Sequence, residues 1–146
     1  MKALYENDFN AWLLEQASAL RARNFECLDV DNVAEELEGM ARSDRRELKS
    51  RLHTLLFHLL KWRILPKQHR TYGRGWRLTI SEQRHEIEGL LKDSPSLRFY
   101  LPELFIDAWL WACKDMQLTY KDTPPLPPLC PWDFEQLLVE DFLPEK

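Results

Sequence analysis

Glycine and cysteine are both scarce in this chain, with four and three in 146 residues. Cys27, Cys113 and Cys130 are odd in number, widely spaced and without a CxxC pair, which argues against a disulfide framework and against a zinc site. No stretch approaches the roughly 18 uninterrupted apolar residues of a membrane span, so no membrane insertion is expected. The opening MKALYENDFN has no apolar segment of the signal-peptide kind, which makes a cytoplasmic location the expectation. Also missing are a glycine-rich phosphate loop, a GxSxG elbow and a cysteine with a recognisable catalytic partner. A single Glu-x-x-His step, Glu82 to His85, has no second copy of the kind a di-iron bundle needs. No metal or cofactor is expected.

With so few glycines, and with the nine prolines mostly after residue 120, the chain favours long helices with firm breaks over a many-turned β fold. Its length suits one domain over residues 1–146. From Val33 to Trp62, apolar side chains recur at Val33, Leu37, Met40, Ala41, Leu48, Leu52, Leu55, Leu56 and Leu59. They fall within roughly 80° of one line on a helix, so one side of a long rod or jointed pair should face a core. Gly39 and Ser43 leave open whether this is one helix or two.

Asp8 is a good N-cap for a helix through about Arg23 with Phe9, Trp12, Leu13, Ala17 and Leu20 on its inner face. After Pro66, KQHRTYGRG reads as a basic loop in which Gly73 and Gly75 permit a reversal. Trp76, Ile80, Ile87, Leu90 and Leu91 mark a further helix, with Gln83 predicted as a buried amide bonded to another helix. Pro102 opens a helix to about Leu118 that is apolar nearly all round, through Trp109 and Trp111. DTPPLPPLCP should be an extended strap, and Asp133 with Gln136 a capping box for a short last helix. The predicted architecture is an all-α compact bundle of five to six helices around the central element.

Four blocks in order, YENDFNAWLLEQASALR, VAEELEGMARSDRRELKSRLHTLLFHLLKW, GWRLTISEQRHEIEGLLKDSPSLRFYLPE and CPWDFEQLL, resemble the bacterial domain-of-unknown-function family DUF29 over nearly the whole chain. The resemblance implies an all-helical bundle of bacterial origin and carries over no activity and no catalytic residues.

The net charge of −4 conceals an asymmetry: residues 42–84 hold twelve Lys or Arg against three acids, while the flanks are acidic. The centre is either an anion-binding surface or is neutralised by the flanks. Two constellations follow. Arg51 and His58 stand seven residues apart, close to two helical turns and so about 20° apart on one face, with Glu47 a turn before. The spacing is similar to that of the helical HEPN ribonucleases, where imidazole relays a proton and guanidinium holds the scissile phosphate without metal. The structural alternative is an ion pair between Glu47 and Arg51, with His58 bonded to a neighbouring helix. Lys67, Arg70, Tyr72 and Arg74 belong to a basic run interleaved with aromatic rings, a pattern suited to unpaired nucleic acid. With no strong catalytic motif and a large aromatic allotment, the leading expectation is a protein-protein interaction module, self-associating through the helix bearing Trp109 and Trp111. RNA binding or metal-independent ribonuclease action is the alternative.

Overall fold

A computed structural model describes residues 2–145. It contains six α-helices: α1 (Lys2–Asn7), α2 (Phe9–Arg21), α3 (Val30–Ile64), α4 (His69–Asp93), α5 (Leu101–Thr119) and α6 (Phe134–Leu137). There is no strand among the described residues, and the all-α expectation holds. The chain divides into two compact units, Met1–Ser43 and Asp44–Lys146, with the division falling inside α3. Gly39 and Ser43 do not break that helix, which runs without interruption for 35 residues.

In the first unit Asp8 caps α2 as its sequence implies, its carboxylate accepting from the Ala11 N–H at 3.0 Å. The far end of α2 closes with the Arg23 N–H on the Leu20 carbonyl and the Asn24 N–H on the Ala19 carbonyl. This is the paired bonding of a Schellman motif. Arg23 occupies its left-handed position, φ 57°, where glycine is usual. The buried line of α2 is Trp12, Gln16 and Ala19, rotated from the one expected; Phe9, Leu13, Ala17 and Leu20 are exposed. Gln16 turns inward because its Oε1 accepts the Asp29 N–H at 2.7 Å. The early part of α3 is engaged through Glu36, which accepts from the Tyr5 hydroxyl. Leu37 and Met40 are accordingly 62% and 67% exposed, against the expectation that both face a core.

In the second unit Leu48, Leu52, Leu55, Leu56 and Leu59 are buried, as the period predicts, with Ile80 and Ile87 of α4 and Ala108, Trp109, Ala112 and Met116 of α5. The segment expected as a basic loop is helical instead. Pro66–Gln68 form a 3-10 turn, and α4 starts at His69 with both glycines inside it. A Cβ on Gly73 would stand 3.3 Å from the Trp62 ring and 3.4 Å from the His69 Cβ, so this glycine serves close packing and not a reversal. The proline-rich segment after α5 is the expected strap: Trp109 donates its indole N–H to the Pro127 carbonyl at 3.0 Å and meets Trp132 edge to face. Trp109 is thus occupied within its own chain. Asp133 does stand before α6, but its side chain makes no capping bond.

Candidate functional site

Arg51 and His58 leave the same side of α3, and each already has a partner. Arg51 Nη2 lies 3.5 Å from Glu47 Oε1, an i, i+4 pair with both side chains about a third or more exposed, worth at most a few tenths of a kcal/mol. His58 donates from Nδ1 to the Thr54 carbonyl of its own helix at 2.9 Å. Burial lowers its pKa below the usual 6.5; that bond opposes the shift, and the charges of Lys61 and His53 reinforce it. The bond expected to a neighbouring helix is made one turn back on α3. Neither Arg51 nor His58 lines the groove beside α4 or the one that Lys67 borders.

The other histidine of this stretch has the more elaborate setting. His53 Nε2 is 2.7 Å from Asp115 Oδ2 of α5, and its ring stacks on Trp111 at 3.7 Å between centroids. Lys61 is buried, its ammonium 4.9 Å from the Phe57 ring centre and 5.1 Å from that of Trp76. The two rings replace part of the hydration it loses, and desolvation lowers its pKa.

The basic run is divided by the fold. Arg70, Arg74, Arg77 and Ser81 sit at i, i+4, i+7 and i+11 of α4, within about 60° around the axis, and all four are exposed. Tyr72 points roughly 200° round from Arg70 and stacks on Trp76 at 6.0 Å. Lys67 borders a different groove, with Arg63, Lys121 and Asp122. Arg74 and Arg77 line a groove of about 720 Å³ together with Trp62, His69, Ser81, Glu140 and Asp141. His69 stacks on Trp62 at 3.8 Å and donates from Nε2 to the Trp62 carbonyl at 2.6 Å. Among the described residues the ion pairs are Arg42 with Glu35 and Arg51 with Glu47, and His53 lies against Asp115; none of these engages Arg70, Arg74 or Arg77.

Arg84 is the residue that sequence reasoning missed. It is 5% exposed, and among the described residues no carboxylate lies within ion-pair distance of it, although the charges of Asp141, Glu140 and Glu88 oppose the lowering of its pKa by burial. Instead its Nε, Nη1 and Nη2 donate to the carbonyls of Leu137, Glu140 and Phe142 at 2.5, 2.9 and 2.6 Å. These carbonyls lie at and beyond the end of α6, where backbone acceptors lack helical partners. One planar guanidinium thereby fixes the segment that forms the far wall of the groove. The signal was its spacing, four after Ile80 and three before Ile87, on the apolar stripe itself. Its neighbour Gln83, predicted to bond another helix, has a buried Oε1 without a partner.

The family model for DUF29, a domain of unknown function, matches residues 4–143. The chain belongs to the DUF29 family. No curated protein and no solved structure matches it. In this DUF29 domain no group of three or more His, Cys, Asp and Glu side chains is placed to hold a metal ion among the described residues. No described helix is long and apolar enough to cross a membrane.

Proposed function

We propose that this DUF29 domain is a non-catalytic protein-protein interaction module whose docking face lies on the first unit. The observation that supports the reading is the poor coverage of that unit's apolar side chains. Phe9, Leu13 and Leu20 share one side of α2, and Val30, Leu37 and Met40 lie within roughly 80° on α3; all six are more than 40% exposed. Of the eighteen exposed large hydrophobic side chains among the described residues, eight fall within residues 1–43, a density that fits a binding face. Residues 1–43 also carry nine carboxylates against four bases, with Glu15, Glu35 and Glu38 exposed on the same two helices. The partner that fits is an amphipathic helix with an apolar stripe and basic flanks, in the manner of helix recognition by anchor residues.

The metal-independent ribonuclease reading has less support, because Arg51 is paired with Glu47 and His58 Nδ1 is spent on the Thr54 carbonyl. Self-association through α5 would rest on Ile106, Leu110, Trp111 and Leu118, which are exposed, and not on the buried Trp109.

The test is a titration with a helical Leu/Lys peptide and its Leu/Glu counterpart. The basic peptide should bind, the acidic one should not, and Leu37→Glu or Met40→Glu should abolish binding with helix content unchanged. Equal binding of both peptides, or indifference to the substitutions, overturns the proposal. Concentration-dependent sedimentation of the protein alone, abolished by the same substitutions, would assign the face to a second copy and overturn the proposed partner.

A further inference from the structure

The groove beside α4 holds an arrangement that the interaction reading does not use. Its near wall presents two exposed guanidiniums, Arg74 and Arg77, and the Ser81 hydroxyl, and among the described residues no carboxylate lies within ion-pair distance of either arginine. A guanidinium fork matches the oxygens of a phosphate in both geometry and charge. The stacked pair of Trp62 and His69 also lines the groove, aromatic surface of the kind on which unpaired bases are held. The far wall offers Glu140 and Asp141, which accept hydrogen bonds and donate none, and so favour hydroxyl or amino groups of a ligand. Arg84 fixes this wall through three backbone carbonyls, so the two carboxylates line the groove from a preorganised segment.

We propose that this groove binds one nucleotide unit of single-stranded RNA. The phosphate lies on Arg74 and Arg77, the base against Trp62 and His69, and the ribose 2′-hydroxyl or a base amino group donates to Glu140 or Asp141. The two carboxylates disfavour a featureless polyanion, whose charges they repel, and select a ligand with a phosphate on one side and hydrogen-bond donors on the other. Arg70 continues the arginine row beyond the groove, a turn before Arg74. It is placed for the next phosphate, which favours a strand over a free nucleotide. The 2′-hydroxyl is the group by which protein tells RNA from DNA.

The test is fluorescence anisotropy with a short labelled single-stranded RNA, the DNA of the same sequence and unlabelled mononucleotide as competitor, across a salt series. RNA should bind more tightly than DNA. Each lost guanidinium contact should weaken binding by about tenfold, since a charge-assisted bond is worth 1.5 kcal/mol or more. Arg74→Gln with Arg77→Gln should also flatten the salt slope by roughly 0.7 per phosphate contact removed. Both side chains are exposed, so circular dichroism and the melting temperature should not move. Glu140→Ala with Asp141→Ala, which removes both acceptors, should erase the preference for RNA over DNA, whereas Arg98→Gln, exposed on another segment, should change nothing. Absence of binding at low salt, binding indifferent to the arginine substitutions, or equal affinity for DNA would each overturn the proposal. Competition by mononucleotide as strong as by the strand would overturn the strand assignment. Leu37→Glu leaves this titration unchanged if the two surfaces are independent, so the peptide and RNA readings fail separately.

Discussion

Truncating Arg84 removes three hydrogen bonds and a buried charge in one step, and the sign of the result is decided by which of two large effects wins. Bonds from a charged donor each contribute about 1.5–3 kcal/mol net, and three converge here at 2.5–2.9 Å. Against them stands the desolvation of a guanidinium that no carboxylate among the described residues contacts, which costs several kcal/mol and is only partly offset by the charges of Asp141, Glu140 and Glu88. The bonded carbonyls of Glu140 and Phe142 are only partly buried, so water can replace part of what is lost there. The Leu137 carbonyl bond is fully buried and cannot be replaced so readily. Arg84→Met, which keeps most of the aliphatic stem, should therefore destabilise the second unit by about 2–4 kcal/mol, or roughly 6–12 °C for a chain of this size. Arg84→Lys should recover little, because one ammonium cannot reach three divergent acceptors. The assay is urea unfolding followed by far-UV circular dichroism, with limited proteolysis reporting release of residues 138–145. An Arg84→Met protein as stable and as protease-resistant as the parent would refute the reasoning, showing that desolvation cancels the bonds.

Further outcomes can be checked with modest effort. Burial pushes the thiols of Cys113 and Cys130 up to about 11, whereas Cys27 is exposed; a thiol reagent at neutral pH should modify Cys27 alone until denaturant is added. The folded state lowers the His58 pKa, so the unfolded chain binds a proton at higher pH than the folded one. The His58 contribution is whole above the ordinary 6.5 and is lost as pH falls through that value toward the folded pKa; the stability of a His58→Gln variant should fall less over that window. Arg23→Gly relieves a left-handed residue with a side chain and should stabilise the first unit by about 0.5–1 kcal/mol, read as a higher urea midpoint.

Much of the helical framework was legible because its punctuation is local. Asp8 before an apolar run and Pro102 at the start of another are signals whose physics depends on a few neighbouring residues. The misreadings are tertiary in origin. Gly73 and Gly75 read as a turn, yet Gly73 is demanded by the Trp62 ring against which α4 packs, a neighbour that no local pattern reveals. Leu37 and Met40 have the period of a core face, but a period does not say which elements arrive to cover it; α1 meets this part of α3 through Glu36, and α2 holds Asp29, the residue just before α3. The Schellman end at Arg23 was hidden by the absence of glycine. For the candidate site, the arginine row of α4 could be seen only once residues 69–75 were known to be helical, since a loop would scatter Arg70, Arg74 and Arg77. Arg84 was concealed by its charge, although its spacing placed it on the apolar stripe. The partnership of His53 with Asp115, 62 residues apart, has no sequence signal.

The most direct test of the interaction reading is amide hydrogen exchange of the full chain with and without the Leu/Lys helical peptide. Protection should gather in residues 9–20 and 30–41 and be absent from Leu37→Glu protein. Protection confined to α5, around Ile106, Leu110 and Leu118, or no protection at saturating peptide, would contradict the assignment of the docking face to the first unit.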